Sequence, residues 1–242
     1  MADPVVLIHG AWQGSWGWDR RVPLLEDAGL ETHAVGLPGS GTETVPASEI
    51  TLETCLAHLG GLIRAIGHPV SLVGHSGGGG EWFREHVSRI AYVAGMMLPS
   101  GMGFGDLQNE LGGRAGYSPG ISDRIVYSRD GFSSTVPPEE AAAIFFHDCP
   151  PDVAIDAARK LTRQAEGARA IRARPTPERF GTLPRLYIEA TDDRSVVLLA
   201  QRRMQELVPG ATVRSLPTGH APQLSASGML AEALIPFLLG RA

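Results

Sequence analysis

The sequence predicts an α/β fold in which a mainly parallel six-stranded sheet is flanked by helices and a helical lid is inserted after the fourth strand. Three observations carry this. Short apolar runs without polar alternation recur along the chain, at Val5–His9, Val70–Val73 and Pro184–Glu189 among others, which suits strands covered on both faces of a sheet. Segments with apolar residues three or four apart separate these runs, and regular alternation of strand and helix implies parallel pairing through crossovers. The alternation stops between Leu98 and Phe180, where glycine, proline and serine are frequent, and then resumes.

In chain order, Val5–His9 is the first strand and leads into His9-Gly10-Ala11-Trp12. Gly10 allows a sharp turn, and His9 is read as its brace. Val22, Leu24 and Leu25 follow at roughly helical spacing, with Gly29 as a stop. Trp16 and Trp18 read as packing residues. Trp12, directly after the turn, is a candidate pocket wall.

Glu31–Val35 is the second strand, and the glycine-flanked Ser40 a turn residue. Thr51 is placed to cap a helix whose apolar positions, from Leu52 through Leu59 to Ile66, keep a 3.6-residue period until Gly67. Val70–Val73 is the third strand. A helix from Gly77 to about Val87 and a fourth strand at Ile90–Val93 come next. Short helices are expected at Glu139–Phe146, Pro151–Arg163 and Gln164–Arg172. Pro184–Glu189 and Thr212–Leu216 complete the sheet around a helix with Leu198, Leu199, Met204 and Leu207, and a last helix covers about Ser225–Leu239. The expected organisation is thus a core of residues 1–97 and 181–242 with a lid at 98–180.

Composition narrows the function. A net charge of -5 with no basic stripe argues against nucleic acid and anionic membrane surfaces as partners. Cys55 and Cys149 are too few for a disulfide framework or a metal site, so no metal and no cofactor is expected, and a reducing compartment fits. The first residues show no secretory pattern and no stretch approaches a membrane span, so the expected location is cytoplasmic. The sequence leaves a homodimer open.

The chemistry concentrates at Gly74-His75-Ser76-Gly77-Gly78. A serine between glycines at a strand-to-helix turn is held in a strained conformation that presents its hydroxyl, and the N–H of the next residue faces any oxyanion formed there. Gly77 and Ala11 are therefore the candidate oxyanion donors. A serine needs a base, and the base needs an anionic partner. His220 follows the sixth strand and Asp193 the fifth, with Asp192 as its competitor. The order Ser76, Asp193, His220, each after a strand, is that of the α/β-hydrolase architecture. Trp12, Phe104, Leu107, Tyr127, Phe145 and Phe146 are candidate substrate-pocket residues.

Beyond this architecture, the sequence resembles the methylesterase and hydroxynitrile lyase branch of the α/β-hydrolases, which includes plant methyl salicylate esterases and polyneuridine aldehyde esterase. The likeness lies in Val5–Gly17, Ser40-Gly41-Thr42, Leu72–Gly78, Phe145-Phe146 through Cys149-Pro150-Pro151 to Leu161, Tyr187–Gln201, and Gly219-His220 with Gln223-Leu224. The resemblance implies Asp193 as the acid. It also implies an esterase: lyases of this branch carry threonine after the first histidine and lysine after the catalytic one, where this chain has Gly10 and Ala221. Between Ser76 and the fourth strand the chain is several residues shorter than is usual in the branch. The expected function is hydrolysis of a small apolar or aromatic carboxylic ester through an acyl-enzyme. Lyase-type cleavage with the same triad, and ligand binding with an idle triad, are the alternatives.

Overall fold

A computed structural model describes residues 2–40, 45–78, 86–169, 172 and 180–241. Six strands form one parallel sheet: β1 (Val5–Ile8), β2 (Thr32–Val35), β3 (Val70–His75), β4 (Val87–Val93), β8 (Arg185–Ala190) and β9 (Thr212–Leu216). Their spatial order is β2-β1-β3-β4-β8-β9. The central strands lack polar alternation because both faces of the sheet are covered. Side chains of a strand alternate between faces, and the two sets enter two different cores. Val5, Leu7, Val73, Ala91, Val93 and Ile188 pack with Leu230, Leu234 and Phe237 of α9 (Ser227–Leu238) and with Leu25 of α1 (Val22–Glu26). Val6, Ile8, Leu72, Ile90, Tyr92 and Tyr187 pack with Leu59 and Ile63 of α2 (Leu52–Ile66). Fully burying side chains of this size stabilises the fold by roughly 1.5–3 kcal/mol each.

The α2 boundaries follow from local chemistry. Thr51 and Thr54 exchange side-chain and backbone hydrogen bonds at 3.3 Å to form a capping box, and Gly67 ends the helix at φ +75. The helix expected over Gly77–Val87 falls largely outside the described residues. Within them, Ser76–Gly78 is a 3-10 turn, and Val87 already belongs to β4. Val87 is paired with Val70 in the sheet and buried, so it takes part in strand pairing.

Between β4 and β8 the chain forms α3 (Phe104–Leu111), β5 (Val126–Tyr127), β6 (Ser133–Thr135), α4 (Pro138–Ile144), α5 (Pro151–Lys160), β7 (Gln164–Ala165) and α6 (Glu166–Arg169). The three short strands make a separate antiparallel sheet in the order β5-β6-β7. This corrects the helix expected over Gln164–Arg172: Gln164 and Ala165 pair with Ser134 and Ser133 before a short helix begins. Strands of two or three residues carry no readable period. The fold is completed by α7 (Leu198–Leu207), between β8 and β9, and by α8 (Pro222–Ser225), which precedes α9. No helix among the described residues is long and apolar enough to cross a membrane.

Candidate active site

Strand order reverses between β1 and β3: the chain passes from β1 outward to β2, and from β3 outward to β4. The turns leaving β1 and β3 border the resulting crevice, where open α/β sheets bind ligands. His9 to Gln13 and His75 to Gly78 line one cavity of about 1090 Å³, open mouth included.

Ser76 stands at φ +52, a left-handed conformation that costs a residue with a β-carbon and persists only where neighbours enforce it. Two close approaches enforce it here. A β-carbon on Gly78 would lie 2.6 Å from the His9 carbonyl oxygen and 2.8 Å from that of Ile8. One on Gly10 would lie 2.9 Å from His75 Nδ1 and 3.0 Å from Ser76 Cβ. Gly10 therefore serves by its missing side chain, which lets the β1 turn press against the serine. Its φ is not in the left-handed region. Met96 adds a third constraint, its N–H donating to the Ser76 carbonyl at 2.9 Å.

The neighbouring strands β8 and β9 deliver the other two groups. His220 Nδ1 lies 2.8 Å from Asp193 Oδ2, and the two side chains are only 3% and 0% exposed. Asp193 Oδ1 accepts the N–H groups of Ser195 and Val196 at 2.6 and 2.9 Å, which locks the carboxylate at the approach to α7. Gln201 of α7 secures the loop, with Oε1 on Ala190 N–H at 3.0 Å and Nε2 on the Ala190 and Val196 carbonyls at 2.9 and 2.7 Å. Asp192 is exposed and engages the neighbouring loop through its backbone, donating to the Thr218 carbonyl at 3.0 Å. The geometry therefore brings Asp193, not Asp192, to His220.

His75 is fully buried and its Nε2–H donates to the His220 carbonyl at 2.8 Å. Burial first, then the adjacent His220, hold its pKa well below the usual imidazole range, so it is a neutral brace. His9 braces the β1 turn: its Nε2 accepts from Leu37 N–H at 3.0 Å and its Nδ1 lies 2.8 Å from the Gly10 carbonyl.

Ala11 and Gly77 both line the cavity. Among the described residues the Ala11 N–H donates to no backbone or side-chain acceptor, whereas the next N–H, of Trp12, is taken by Gln164 Oε1 at 3.1 Å. Trp12 stands at φ +61. Thr162 N–H donates to its carbonyl at 2.9 Å, and its indole N–H donates to Ser134 Oγ at 3.1 Å. The strained turn is thus held by the segment inserted between β4 and β8. Gln164, Thr162 and Ser134 escaped the sequence reading because isolated polar residues carry neither period nor motif.

Of the predicted pocket residues, Trp12, Phe104 and Phe145 line the cavity, and Phe145 stacks on Trp12 at 6.1 Å and on His220 at 5.2 Å between ring centres. Leu107, Phe146 and Tyr127 do not line it. Leu107 is fully buried in a cluster with Val196, Ala200 and Met204, and Phe146 in one with Ala141 and Ala157. Tyr127 is 54% exposed, its hydroxyl accepting from Arg169. Further lining residues stand outside the predicted set: Leu37, Pro38, Leu52, Cys55, Leu56 and Leu59 face the same space. Arg169 also borders it, paired to Glu166 at 2.7 Å and lying 5.5 Å from the Trp12 ring centre.

A serine on a strained turn, an imidazole bound through one nitrogen to a carboxylate, and a free backbone N–H around one apolar cavity are what nucleophilic acyl transfer requires. Known proteins share the sequence pattern and the fold. The pyrethroid hydrolase of Sphingobium wenxiniae is 30% identical over 96% of this chain and 86% of its own length. Methyl jasmonate esterase 1 of Vitis vinifera is 27% identical over 91% of this chain and 90% of its own. The crystal structure of a pyrethroid hydrolase from Sphingobium faniae superposes with a TM-score of 0.86 at 27% identity, covering 98% of both chains. A family model described as the alpha/beta hydrolase family matches residues 5–233. The chain belongs to the alpha/beta hydrolase family.

Proposed function

We propose that this protein is a carboxylic ester hydrolase whose triad is Ser76, His220 and Asp193, acting on a small apolar or aromatic ester. The 2.8 Å contact between His220 Nδ1 and Asp193 Oδ2 beside the left-handed Ser76 carries the proposal. With Nδ1–H given to Asp193, His220 Nε2 is the unprotonated nitrogen and takes the Ser76 proton as Oγ attacks the ester carbonyl. The oxyanion that forms is met by the N–H groups of Ala11 and Gly77. Collapse of this intermediate expels the alcohol, protonated by His220, and water repeats the sequence on the acyl-enzyme.

Residues 98–180 act as a lid on a core of residues 1–97 and 181–242. Support comes from Phe104, Ile121, Ile125, Phe145 and Gln164, which face the cavity from this segment. The largely apolar wall they share with Leu52, Leu56 and Leu59 favours an apolar substrate. Gly10 and Ala221, where lyases of the resembling branch carry threonine and lysine, support an ester over lyase-type cleavage.

A graded panel of p-nitrophenyl esters, run beside methyl esters of aromatic acids, tests the activity. Ser76→Ala is expected to lower kcat by several powers of ten. Retention of most activity by that variant refutes the triad.

A further inference from the structure

The acid and the base sit on two separate loops, and a third element binds both. The turn between α4 and α5 carries Phe145, His147 and Asp148. Asp148 Oδ2 accepts the Gly219 N–H at 2.6 Å, one residue before His220. His147 Nε2–H donates to the Asp192 carbonyl at 3.0 Å, one residue before Asp193. The fit at Gly219 is close: a β-carbon there would lie 2.5 Å from Asp148 Oδ1 and 2.8 Å from His147 Nε2. Phe145 stacks on the His220 ring from the same turn. Neither His147 nor Asp148 lines the cavity among the described residues.

We propose that Asp148 and His147 are positioning residues that set the placement of His220 relative to Asp193, a role that rests on the triad reading above. They clamp the backbone one residue ahead of each triad member, from a segment outside the sheet. A charge-assisted hydrogen bond to a backbone N–H is short and directional, which suits a clamp. Small misplacements of a catalytic group cost up to about 100-fold in rate. Because the two side chains do not border the cavity, their loss falls on kcat and leaves KM in place.

The experiment measures kcat, KM, pH profile, thermal midpoint and the rate of Ser76 labelling by a fluorophosphonate. The variants are Asp148→Ala, Asp148→Asn, His147→Ala and His147→Gln. Asp148→Ala and His147→Ala are expected to lower kcat and labelling rate by about 10–100-fold with KM unchanged. Asp148→Asn keeps an oxygen acceptor and His147→Gln a donor, so both are expected to recover most of the loss with the wild-type pH profile. Wild-type kcat in a folded Asp148→Ala and His147→Ala overturns the clamp, as does a shifted pH profile in Asp148→Asn, which would assign the carboxylate a charge role. If Asp148→Ala does not fold, His147→Ala and Asp148→Asn decide by the same criteria. A wild-type protein that neither turns over esters nor labels at Ser76 refutes the triad itself, so the two failures are distinct.

Discussion

Gly78→Ala tests whether the serine turn is held in place by contact with β1. The new β-carbon would stand 2.6 and 2.8 Å from the carbonyl oxygens of His9 and Ile8, more than half an ångström short of the 3.4 Å at which ordinary contact begins. β1 cannot retreat, because Ile8 is paired with Val35 on one side and Gly74 on the other. The serine turn must therefore yield. Overpacking of this kind costs about 1–3 kcal/mol, and at about 2–4 °C per kcal/mol for a domain of this size the thermal midpoint should fall by about 2–12 °C. The displaced hydroxyl should lower kcat by about 10–100-fold. Gly61→Ala is the control: it lies inside α2, is exposed, and its β-carbon would meet no atom within 4 Å. That variant should gain about 0.5–1 kcal/mol with unchanged activity. Calorimetry and initial rates on one ester decide the matter. A Gly78→Ala protein with the wild-type midpoint and kcat would refute the steric reasoning.

Two further expectations concern buried charge. Arg21 is fully buried, and none of its three guanidinium nitrogens finds a hydrogen-bond partner among the described residues. Burial lowers its pKa to about 10, so the folded state disfavours the cation, with the full penalty below that pH and a fading one above it. Arg21→Met should raise unfolding free energy at neutral pH by about 1–4 kcal/mol in denaturant titration, and a loss would contradict this. Glu189 is the opposite case. Burial alone would raise its pKa, but Ser215 Oγ at 2.7 Å, Gln205 at 2.9 Å and Arg202 at 3.3 Å outweigh that and hold it below the ordinary value. Its stabilisation is present above the unfolded carboxylate pKa and is lost as pH falls through the folded one. Glu189→Gln should cost about 1–3 kcal/mol at pH 7 and flatten the acid limb of the stability profile. An unchanged acid limb would assign that pH dependence elsewhere.

What could be read from sequence divides along physical lines. β1, β3 and β8 were legible because burial on both faces leaves an unbroken apolar run, and α2 because Thr51 and Gly67 mark its ends chemically. Ser76 and His220 could be singled out as candidates because each follows the end of a strand, whereas strand position alone left Asp192 beside Asp193 and the resemblance decided between them. Phe104 and Phe145 could not be told from Leu107 and Phe146, since a residue facing an apolar cavity and one facing a core obey the same periodicity. Leu52, Leu56 and Leu59 were hidden for that reason too. Gln164, His147 and Asp148 act through single hydrogen bonds to distant backbone. Contacts such as Gly219 to Asp148, 71 positions apart, exist only once the chain has folded.

The most direct test is peptide mapping by mass spectrometry after treatment with a fluorophosphonate, applied to the wild type, Ser76→Ala and His220→Ala. A single adduct on the peptide carrying Ser76 in the wild type, no adduct in Ser76→Ala and strongly slowed labelling in His220→Ala are the expected results. An adduct elsewhere in the wild type, or labelling of His220→Ala at the wild-type rate, would contradict the assignment of Ser76 as nucleophile and His220 as its base.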